Sequence, residues 1–410
     1  MNNTDSVGCD ELDEYDIHTH CKYYDMEDLQ SCSLTDFPYK VMHHNIRSLI
    51  ENGDNLKILL NELSETGLCM DIVLLCETFL TDKNCMLPNI NGYRKIEKHR
   101  KNSKGGGVAL FLNQHIQYKI RDDLSLFDEG VFESLFIEIS LNGRCYVVGE
   151  IYRVPNYNVQ VFLDHYSYII EKVRNENKEI LIGSDQNLDL IKLDSQVNIQ
   201  EFLDTNYSNG IIPVIDKPTR VTHQTATLID NIYSSDKGSY VSGVLRYYIS
   251  DHFPIFYLFG NRISIKKKSH EKVQFITRDI TDVAIGKINE DLDVIDWVEC
   301  LQELDTSQSF GLIINNVNQA VEKHCALKTV TLSSKNIIRE PWMTPGILKS
   351  SRTSNRLYKD CHKLNTSHPK YIKFKNYRNL YNKTKREAKF KYYRDQINEY
   401  RNDSAKTWKI

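Results

Sequence analysis

Short apolar runs of strand length recur between residues 39 and 260, and many of them end in a polar residue. In one of them, apolar residues 180–182 stop at Gly183, and Asp185 and Asn187 follow two positions apart. Alternate residues of an extended chain point to the same side, so these two side chains should share one face. The pattern predicts a buried strand running into a turn, at the edge where α/β sheets commonly place their chemistry.

Other runs follow the same pattern, with helical spacing between some of them. The polar side chains at or near the ends of the apolar runs are Asn45, Glu77, Tyr152, Asp185, Asn187, Asp230, Asp251 and His252. Residues 56–63 and 159–175 show helical spacing, and Asn142-Gly143 predicts a tight hairpin turn. A glycine triplet at 105–107 allows close backbone approach. This order of elements predicts two mixed sheets packed face to face, with helices outside.

Charge is segregated along the 410-residue chain, whose formal net charge is -3. Residues 1–38 contain ten acids and one lysine, and we expect them to form a disordered leader. Residues 335–410 contain 20 Lys and Arg against six Asp and Glu, a net charge of +14. Basic helices interspersed with tyrosines are predicted at 350–364 and 370–401. Such a tail favours contact with DNA or RNA, with aromatic stacking on bases, and a merely solvated helical face is the alternative.

The ten cysteines are scattered without a Cys-x-x-Cys pair. Cys76 and Cys145 lie inside apolar runs, as small buried residues would. This usage favours a reduced intracellular compartment, the nucleus or the cytoplasm. Neither a signal peptide nor a membrane span is predicted, so we expect no membrane partner. The sequence does not indicate an oligomeric state.

The polar residues have the composition of a metal-assisted hydrolytic site. Carboxylates such as Glu77 and Asp251, together with an amide, suit Mg²⁺. An Asp-His pair provides a general base whose tautomer a carboxylate can fix. No serine or cysteine nucleophile motif accompanies them. The set therefore favours phosphodiester hydrolysis over acyl transfer.

Seven motifs stand in order between residues 39 and 260. They are Asn45-Ile46-Arg47-Ser48-Leu49, Glu77-Thr78-Phe79-Leu80, Gly105-Gly106-Gly107-Val108-Ala109, Tyr152-Arg153-Val154-Pro155-Asn156, Asp185-Gln186-Asn187, Ala226-Thr227-Leu228-Ile229-Asp230-Asn231-Ile232 and Ser250-Asp251-His252. Together they resemble the endonuclease/exonuclease/phosphatase superfamily, and in particular the apurinic-type endonuclease domain of non-LTR retrotransposons. The resemblance implies an α/β fold, a four-layer αββα sandwich related to deoxyribonuclease I, at about residues 39–260.

By motif position, the resemblance also implies a bound Mg²⁺, for which Mn²⁺ can substitute. Glu77 resembles the principal metal ligand, with Asn45 and Asp251 beside it. Asp185 and Asn187 resemble the acid–amide pair at the scissile phosphate.

The remaining roles and two departures from the family pattern also follow from motif position. His252, oriented by Asp230, resembles the base or phosphate-polarising group, and Tyr152 resembles the phenol beside the phosphate. Whether the acid of the acid–amide pair or the histidine activates water stays open. Ser184 stands where the family usually has glycine directly before the acid, and Phe79 replaces a more usual tryptophan. Neither departure removes a functional group.

The resemblance implies a Mg²⁺-dependent endonuclease that nicks double-stranded DNA and leaves a 3′-hydroxyl, as in target-primed retrotransposition. Residues 261–410 resemble the helical, basic connector before a reverse transcriptase, and we expect the polymerase itself to be absent. Two alternatives stay open. One is an abasic-site repair endonuclease or phosphatase of the same fold, and the other is a nucleic-acid-binding protein without catalysis.

Overall fold

The structure is a computed structural model that describes residues 21–31, 34–86, 88–101, 103–260, 272–278, 281–302, 305–333, 340–401 and 403–407. The chain forms two compact units, Met1–Lys267 with Ile337–Ile410, and Lys268–Asn336. No helix in the described ranges has the length and apolar character needed to span a membrane.

The strands and helices are numbered in chain order. The strands are β1 (Lys22–Tyr24), β2 (Tyr39–Asn45), β3 (Ile72–Cys76), β4 (Tyr93–Lys98), β5 (Val108–Asn113), β6 (Tyr118–Ile120), β7 (Phe127–Asp128), β8 (Phe132–Leu141), β9 (Arg144–Arg153), β10 (Glu179–Asp185), β11 (Ile212–Pro213), β12 (Arg220–Val221), β13 (Ala226–Thr227), β14 (Asp230–Ser234), β15 (Tyr240–Leu245), β16 (Ile255–Phe259), β17 (Lys272–Arg278) and β18 (Leu327–Ser333). The α-helices are α1 (Met26–Ser31), α2 (Leu49–Glu65), α3 (Val159–Asn175), α4 (Val197–Ser208), α5 (Asp282–Asp293), α6 (Trp297–Leu301), α7 (Thr306–His324), α8 (Pro345–Lys359), α9 (Pro369–Glu399) and α10 (Ser404–Thr407).

Two seven-stranded mixed sheets form the body of the larger unit. Sheet A has the order β1-β15-β16-β2-β3-β5-β4. Sheet B has the order β11-β14-β10-β9-β8-β6, with β7 paired to β8. The neighbours β2 and β3 are parallel and joined by α2, and β9 and β10 are parallel and joined by α3. Such βαβ units bring the carboxyl ends of both strands to one edge of the sheet.

Alternation along the strands sorts the apolar side chains into layers. In β10, Leu181 lies in the core between the sheets, whereas Ile180 and Ile182 pack with α3 and α4. In β3, Leu74 faces the same central core, and Leu75 packs with α2. The order is therefore helix, sheet, sheet, helix, and the predicted four-layer αββα sandwich is confirmed.

The predicted hairpin is present between β8 and β9. Asn142 and Gly143 have φ of 48° and 80°, the left-handed values that a tight two-residue turn needs. The two predicted cysteine environments differ. Cys76 is buried in β3, but Cys145 is exposed, because it lies at the start of β9 beside the turn.

The first 38 residues differ from the expected leader wherever the structure describes them. Strand β1 joins sheet A parallel to β15. Tyr24, Leu29 and Phe37 are buried in the core that sheet A forms with α2. A few apolar residues within an acidic segment are thus enough to attach it to the sheet. Residues 1–20 of the predicted leader lie outside the described residues.

The predicted extension at 261–410 is divided between the two units. Residues 340–401 belong to the larger unit, where Trp342, Ile347 and Tyr381 form a buried cluster with Ile58 of α2. Lys385 donates a hydrogen bond to Asn55 (2.6 Å), and Lys389 pairs with Asp54 (2.8 Å). The basic residues of the tail therefore include several that hold it to the body.

Most aromatic side chains of the tail pack against other residues of the larger unit. Tyr358, Phe374 and Tyr381 are buried, so they are not available to stack on bases. Phe390 is 68% exposed. The prediction of a base-stacking tail is therefore wrong for these three buried aromatic residues.

The smaller unit consists of a hairpin and helices. Strands β17 and β18 pair antiparallel, and α5 contacts α7. Asp305 caps α7 through a reciprocal pair of bonds with Gln308.

The packing of residues 340–401 against α2 can be tested by removing the largest side chain in the cluster, that of Trp342. We expect Trp342→Ala to lower the free energy of unfolding by about 3–5 kcal/mol, because it leaves a cavity in a packed cluster. Phe390→Ala, in the same helical region but exposed, should change it by less than about 0.5 kcal/mol. Urea unfolding measures both values. Equal, small effects of the two substitutions would contradict the docking.

Candidate active site

Three of the predicted residues stand side by side in sheet B. Asp185 ends β10, and its register partners are Tyr152 on β9 and Asp230 on β14. Side chains directly opposite one another on neighbouring strands point to the same face. The hydrogen-bond register of the sheet therefore gathers two acids and a phenol in one row.

The conformation around Gly183 explains why Ser184 is tolerated directly before Asp185, where the resembled family usually has glycine. A Cβ on Gly183 would lie 2.6 Å from Oε2 of Glu150 and 2.9 Å from Nδ1 of His43, so glycine leaves room for that buried pair. Ser184 alternates to the opposite side, with Ile180 and Ile182. The serine before Asp185 thus points away from the row.

Asn45 links the two sheets at the site. Its Nδ2 donates to Oε1 of Glu77 and to Oδ2 of Asp185, both at 2.7 Å. Asn45 ends β2 in sheet A, whereas Asp185 belongs to sheet B. One amide therefore fixes two carboxylates that originate from opposite halves of the sandwich.

The glycine triplet holds the segment that carries Glu77. Thr78 N donates to Gly107 O (3.2 Å), and Phe79 N donates to Gly106 O (2.9 Å). A Cβ on Gly107 would lie 2.5 Å from Oγ1 of Thr78, and its φ is +86°. Glu77 itself has a φ of 49°, an uncommon conformation for a non-glycine residue. The predicted close backbone approach at residues 105–107 serves to position Glu77.

An acid–histidine pair completes the cluster. His252 Nδ1 lies 2.8 Å from Oδ2 of Asp230, and Thr219 Oγ1 donates to the same oxygen at 2.5 Å. Ser250 Oγ donates to the carbonyl of Asn45 at 2.7 Å, which fixes the loop before β16 to the end of β2. Ligand atoms of Asp185, Asp230 and His252 all lie within 4.8 Å of one another.

Burial and neighbouring charge set the proton affinities of these groups. Burial opposes the charge of His252, but Asp230 outweighs it and raises the pKa of His252 to about 9. Burial likewise opposes ionisation of Asp230, but His252 and His43 hold its pKa well below the usual range. Burial and the charge of Asp230 raise the pKa of Asp185. At neutral pH, His252 is therefore an imidazolium, and Asp185 binds a proton more readily than an ordinary aspartate.

A second buried pair lies directly behind the site. His43 Nδ1 is 3.0 Å from Oε2 of Glu150, and His43 Nε2 is 3.7 Å from Oδ1 of Asp230, with both histidine and glutamate fully buried. Burial lowers the pKa of His43, but Glu150 and Asp230 raise it to about 10. Sequence reasoning missed this pair. Its signal in the sequence was an acid, Glu150, inside the apolar run of β9.

Tyr152 and Asn187 lie at the opening of the row. Burial, Glu77 and Asp185 raise the pKa of Tyr152, so its phenol stays protonated and can donate. Asn187 Nδ2 donates to Arg153 O (2.7 Å), and the Arg153 guanidinium donates to Asn187 O (2.8 Å). Arg153, which was not among the predicted site residues, thus fixes the turn after β10.

Asp251, a predicted metal ligand, is paired with two arginines. It accepts from Arg47 Nη1 (2.8 Å) and from Arg220 Nε (2.9 Å). Burial opposes its ionisation, but His252 and the two arginines lower the pKa of Asp251. Arg47 lies on the loop between β2 and α2, and Arg220 begins the short strand β12; sequence reasoning identified neither as a site residue. They place positive charge at the edge of the site.

The donor set fits a hard divalent cation. Glu77 is half-buried, so its carboxylate can meet a hydrated ion, as Mg²⁺ requires. Asn45 is oriented with its amide nitrogen toward Glu77. The amide oxygen of Asn45, which accepts from Arg47 N at 3.3 Å, is a second hard donor beside the carboxylate.

Similar solved structures include proteins of the family that the motifs resemble. The endonuclease domain of TRAS1, a telomere-specific non-LTR retrotransposon, is 12% identical; the match covers 56% of this chain and 100% of that chain, with a TM-score of 0.42. For an AP endonuclease from Archaeoglobus fulgidus the identity is 14%, the coverage 54% and 99%, and the TM-score 0.40. For an endonuclease/exonuclease/phosphatase family protein from Leptotrichia buccalis C-1013-b the values are 15%, 54%, 99% and 0.40.

No protein-family model matches the chain, and no curated protein matches its sequence. The identities and scores of the similar structures are low. The function proposed below therefore rests on the residues of the site.

The dependence of His252 on Asp230 is testable by titration. We expect Asp230→Asn to lower the pKa of His252 by about 1–3 units, because the substitution removes the negative charge that opposes burial. Histidine NMR signals followed over pH measure this value. Asp236→Asn, which alters a buried acid bonded to Tyr146 beyond the other end of β14, should leave it unchanged. An unchanged pKa in Asp230→Asn would refute the pairing.

Proposed function

We propose that this protein is a Mg²⁺-dependent DNA endonuclease that leaves 3′-hydroxyl and 5′-phosphate ends. The observation that carries the proposal is the convergence of Glu77, Asp185 and the Asp230–His252 pair around Asn45. These side chains come from five separate stretches of the chain. Buried acids cost folding free energy unless they are paired, so their concentration at a sheet edge favours a chemical role.

Glu77 is the principal ligand of the cation in this proposal, with Asn45 beside it. Asp251 lies next to His252 and is the third predicted ligand, although it is engaged by two arginines here. When bound, Mg²⁺ supplies positive charge to the phosphate oxygens and to the departing 3′ oxygen.

Asp185 accepts the proton of the attacking water. Its raised pKa suits a base that works near neutral pH, whereas His252 already carries a proton there. The water oxygen forms a bond to phosphorus, and the water proton passes to Asp185. The bond between phosphorus and the 3′ oxygen breaks, and that oxygen keeps the electron pair and takes a proton from solvent to become the 3′-hydroxyl. Asn187, which Arg153 fixes, hydrogen-bonds the attacking water.

His252 and Tyr152 stabilise the phosphate as negative charge develops on it. The imidazolium of His252 donates from the ring nitrogen that does not face Asp230, and the neutral phenol of Tyr152 donates from the neighbouring strand. Fixed donors aimed at developing charge typically lower the barrier by several kcal/mol, of the order of 3 kcal/mol each.

DNA is the substrate that the surroundings of the site favour. Arg47 and Arg220 are half-exposed beside His252 and can reach phosphates on either side of the scissile one. On α9, Lys373, Lys383 and Arg394 are exposed and add positive charge. A nick with a 3′-hydroxyl is the product that a reverse transcriptase can extend, so we propose target-site nicking in retrotransposition as the role.

The second candidate is nucleic-acid binding without catalysis. The exposed basic residues of α9 favour it, and they are compatible with the endonuclease as well. Only the endonuclease requires the buried carboxylates and histidines of the sandwich. A binding protein would keep its affinity and its salt dependence when those residues are replaced.

Nicking of supercoiled plasmid DNA in Mg²⁺ tests the proposed activity. We expect Asp185→Ala and His252→Ala each to lower the rate by at least about 100-fold, or about 2.7 kcal/mol of barrier. Asp236→Asn, a buried acid outside the site, should nick at nearly the wild-type rate. An inactive wild type, or active Asp185→Ala and His252→Ala variants, would contradict the proposal.

The substrate class is tested by comparing three substrates with the same protein: intact plasmid, an abasic duplex and an inositol phosphate. We expect intact plasmid to be nicked, and an abasic duplex or an inositol phosphate to be no better a substrate. Faster cleavage of the abasic duplex would support a repair endonuclease, and faster phosphate release would support a phosphatase.

Metal dependence is tested by removing and restoring the ion. EDTA should abolish nicking, and Mg²⁺ or Mn²⁺ should restore it. Glu77→Gln should require at least about tenfold more Mg²⁺, because a neutral amide binds a hard cation more weakly than a carboxylate does. Mn²⁺ binding followed by electron paramagnetic resonance measures the affinity directly. Equal Mn²⁺ affinity of wild type and Glu77→Gln would exclude Glu77 as the principal ligand.

A further inference from the structure

The loop of residues 246–253, called here the Asp–His loop, carries Asp251 and His252 and connects β15 to β16. On the side of the site, Ser250 Oγ donates to Asn45 O (2.7 Å), and Phe253 N donates to Thr219 O (2.8 Å). These bonds hold one side of the loop. The other side is held by helices α8 and α9.

Hydrogen bonds from both helices reach this outer side. Tyr248 N donates to Oδ1 of Asn355 at 2.9 Å, and Tyr247 Oη lies 2.9 Å from Oγ of Ser351. From α9, Arg378 Nη1 donates to the hydroxyl of Tyr248 at 2.8 Å. Asn355 and Ser351 are buried, so water does not compete strongly for these bonds.

Aromatic rings extend the contact to both sides of the acid–histidine dipeptide. Tyr248 packs on Tyr358 with a centroid distance of 4.5 Å and on Phe374 at 5.2 Å. Phe253, directly after His252, packs on Tyr358 at 6.1 Å. Tyr358 of α8 therefore contacts residues on both sides of Asp251 and His252, three positions before the dipeptide and one after it.

We infer that α8 and α9 form part of the active site's support, with Asn355 and Tyr358 as positioning residues for Asp251 and His252. The inference rests on the proposed nuclease function for its kinetic consequence. Neither residue needs to touch DNA. They act by fixing Tyr248 and Phe253, and through these the placement of the imidazole against Asp230.

The structural reason is what Asn355 and Tyr358 supply to the loop. Without Asn355, the Tyr248 N–H loses its hydrogen-bond acceptor, and without Tyr358 the rings of Tyr248 and Phe253 lose their shared packing surface. A misplacement of about 1 Å in a reacting group can reduce a rate by about 100-fold. Helices α8 and α9 belong to the same compact unit as the sandwich, although the smaller unit, Lys268–Asn336, separates them from it in the sequence.

The test compares Asn355→Ala and Tyr358→Leu with Arg356→Ala in the full chain. Arg356 lies on the same helix, directly after Asn355, and its side chain is exposed. We expect the first two variants to lower kcat for plasmid nicking by about 10- to 100-fold with KM changed less than about twofold. Arg356→Ala should match the wild type.

A conservative variant separates positioning from general destabilisation. Asn355→Asp keeps an oxygen that can accept from Tyr248 N, so it should restore kcat to within about threefold of the wild type. Wild-type kcat in both Asn355→Ala and Tyr358→Leu would overturn the inference. A rise in KM alone would also overturn it, since that result means that the helices bind DNA.

A readout without substrate keeps the inference distinct from the proposed activity. The imidazole NMR signals of His252 should shift in Asn355→Ala and Tyr358→Leu and stay unchanged in Arg356→Ala. Shifted signals in a protein that never nicks DNA would mean that the proposed function fails and the support remains. Unshifted signals in the first two variants would mean that the support fails, whether or not DNA is cut.

Discussion

The site contains two buried carboxylates, Asp185 and Asp230, that lie opposite each other on neighbouring strands. The rest of the site must compensate for their negative charge. Asp185 and Asp230 are each 1% exposed. Like charges at this distance can persist in a buried place only if donors and cations oppose them. His252 and Thr219 do so at Asp230, and Asn45 does so at Asp185. Both acids lie on strands of sheet B, whereas Asn45 ends β2 of sheet A and His252 directly precedes β16 of sheet A. The two sheets must therefore close accurately for the acids to be tolerated.

Several backbone features serve that closure. Gly183 leaves the volume that His43 and Glu150 occupy behind the acids. The glycines at 106 and 107 let the segment carrying Glu77 approach the strand beside it. Helix α2 begins directly after this junction, where Ser48 N donates to Glu77 O at 2.9 Å. Local backbone geometry and buried charge thus depend on each other, and a change in one is expected to move the other.

Much of this arrangement could be predicted from the sequence, because local patterns carry it. Asn45, Glu77 and Asp185 end apolar runs, and two strand–helix–strand units bring such ends to one edge. Partners across the interior could not be predicted in the same way. Glu150 was visible as an acid in an apolar strand, but its contact with His43 depends on how the sheets face each other.

The contacts of the tail, residues 340–401, could not be predicted from the sequence either. Its pattern predicted the helices correctly, yet composition alone suggested a separate, solvent-facing basic extension. Lys385 and Lys389 instead bond to the polar residues of α2, and Tyr358 is buried against the Asp–His loop. The net charge of a segment does not show which residues elsewhere in the chain its basic side chains contact. The contacts of Arg47 and Arg220 could not be predicted for a related reason, since only the fold brings these residues to Asp251.

The proposed function requires these side chains to hold a divalent cation beside a buried acid–histidine pair. A crystal structure with Mn²⁺, located by its anomalous scattering, shows where the ion binds. We expect an ion about 2.1 Å from a Glu77 oxygen, with Asn45 beside it and His252 still paired with Asp230. An ion bound instead by His43, Cys76 and Glu150, or by Cys85, Glu97 and His99, with Glu77 left without metal, would contradict it.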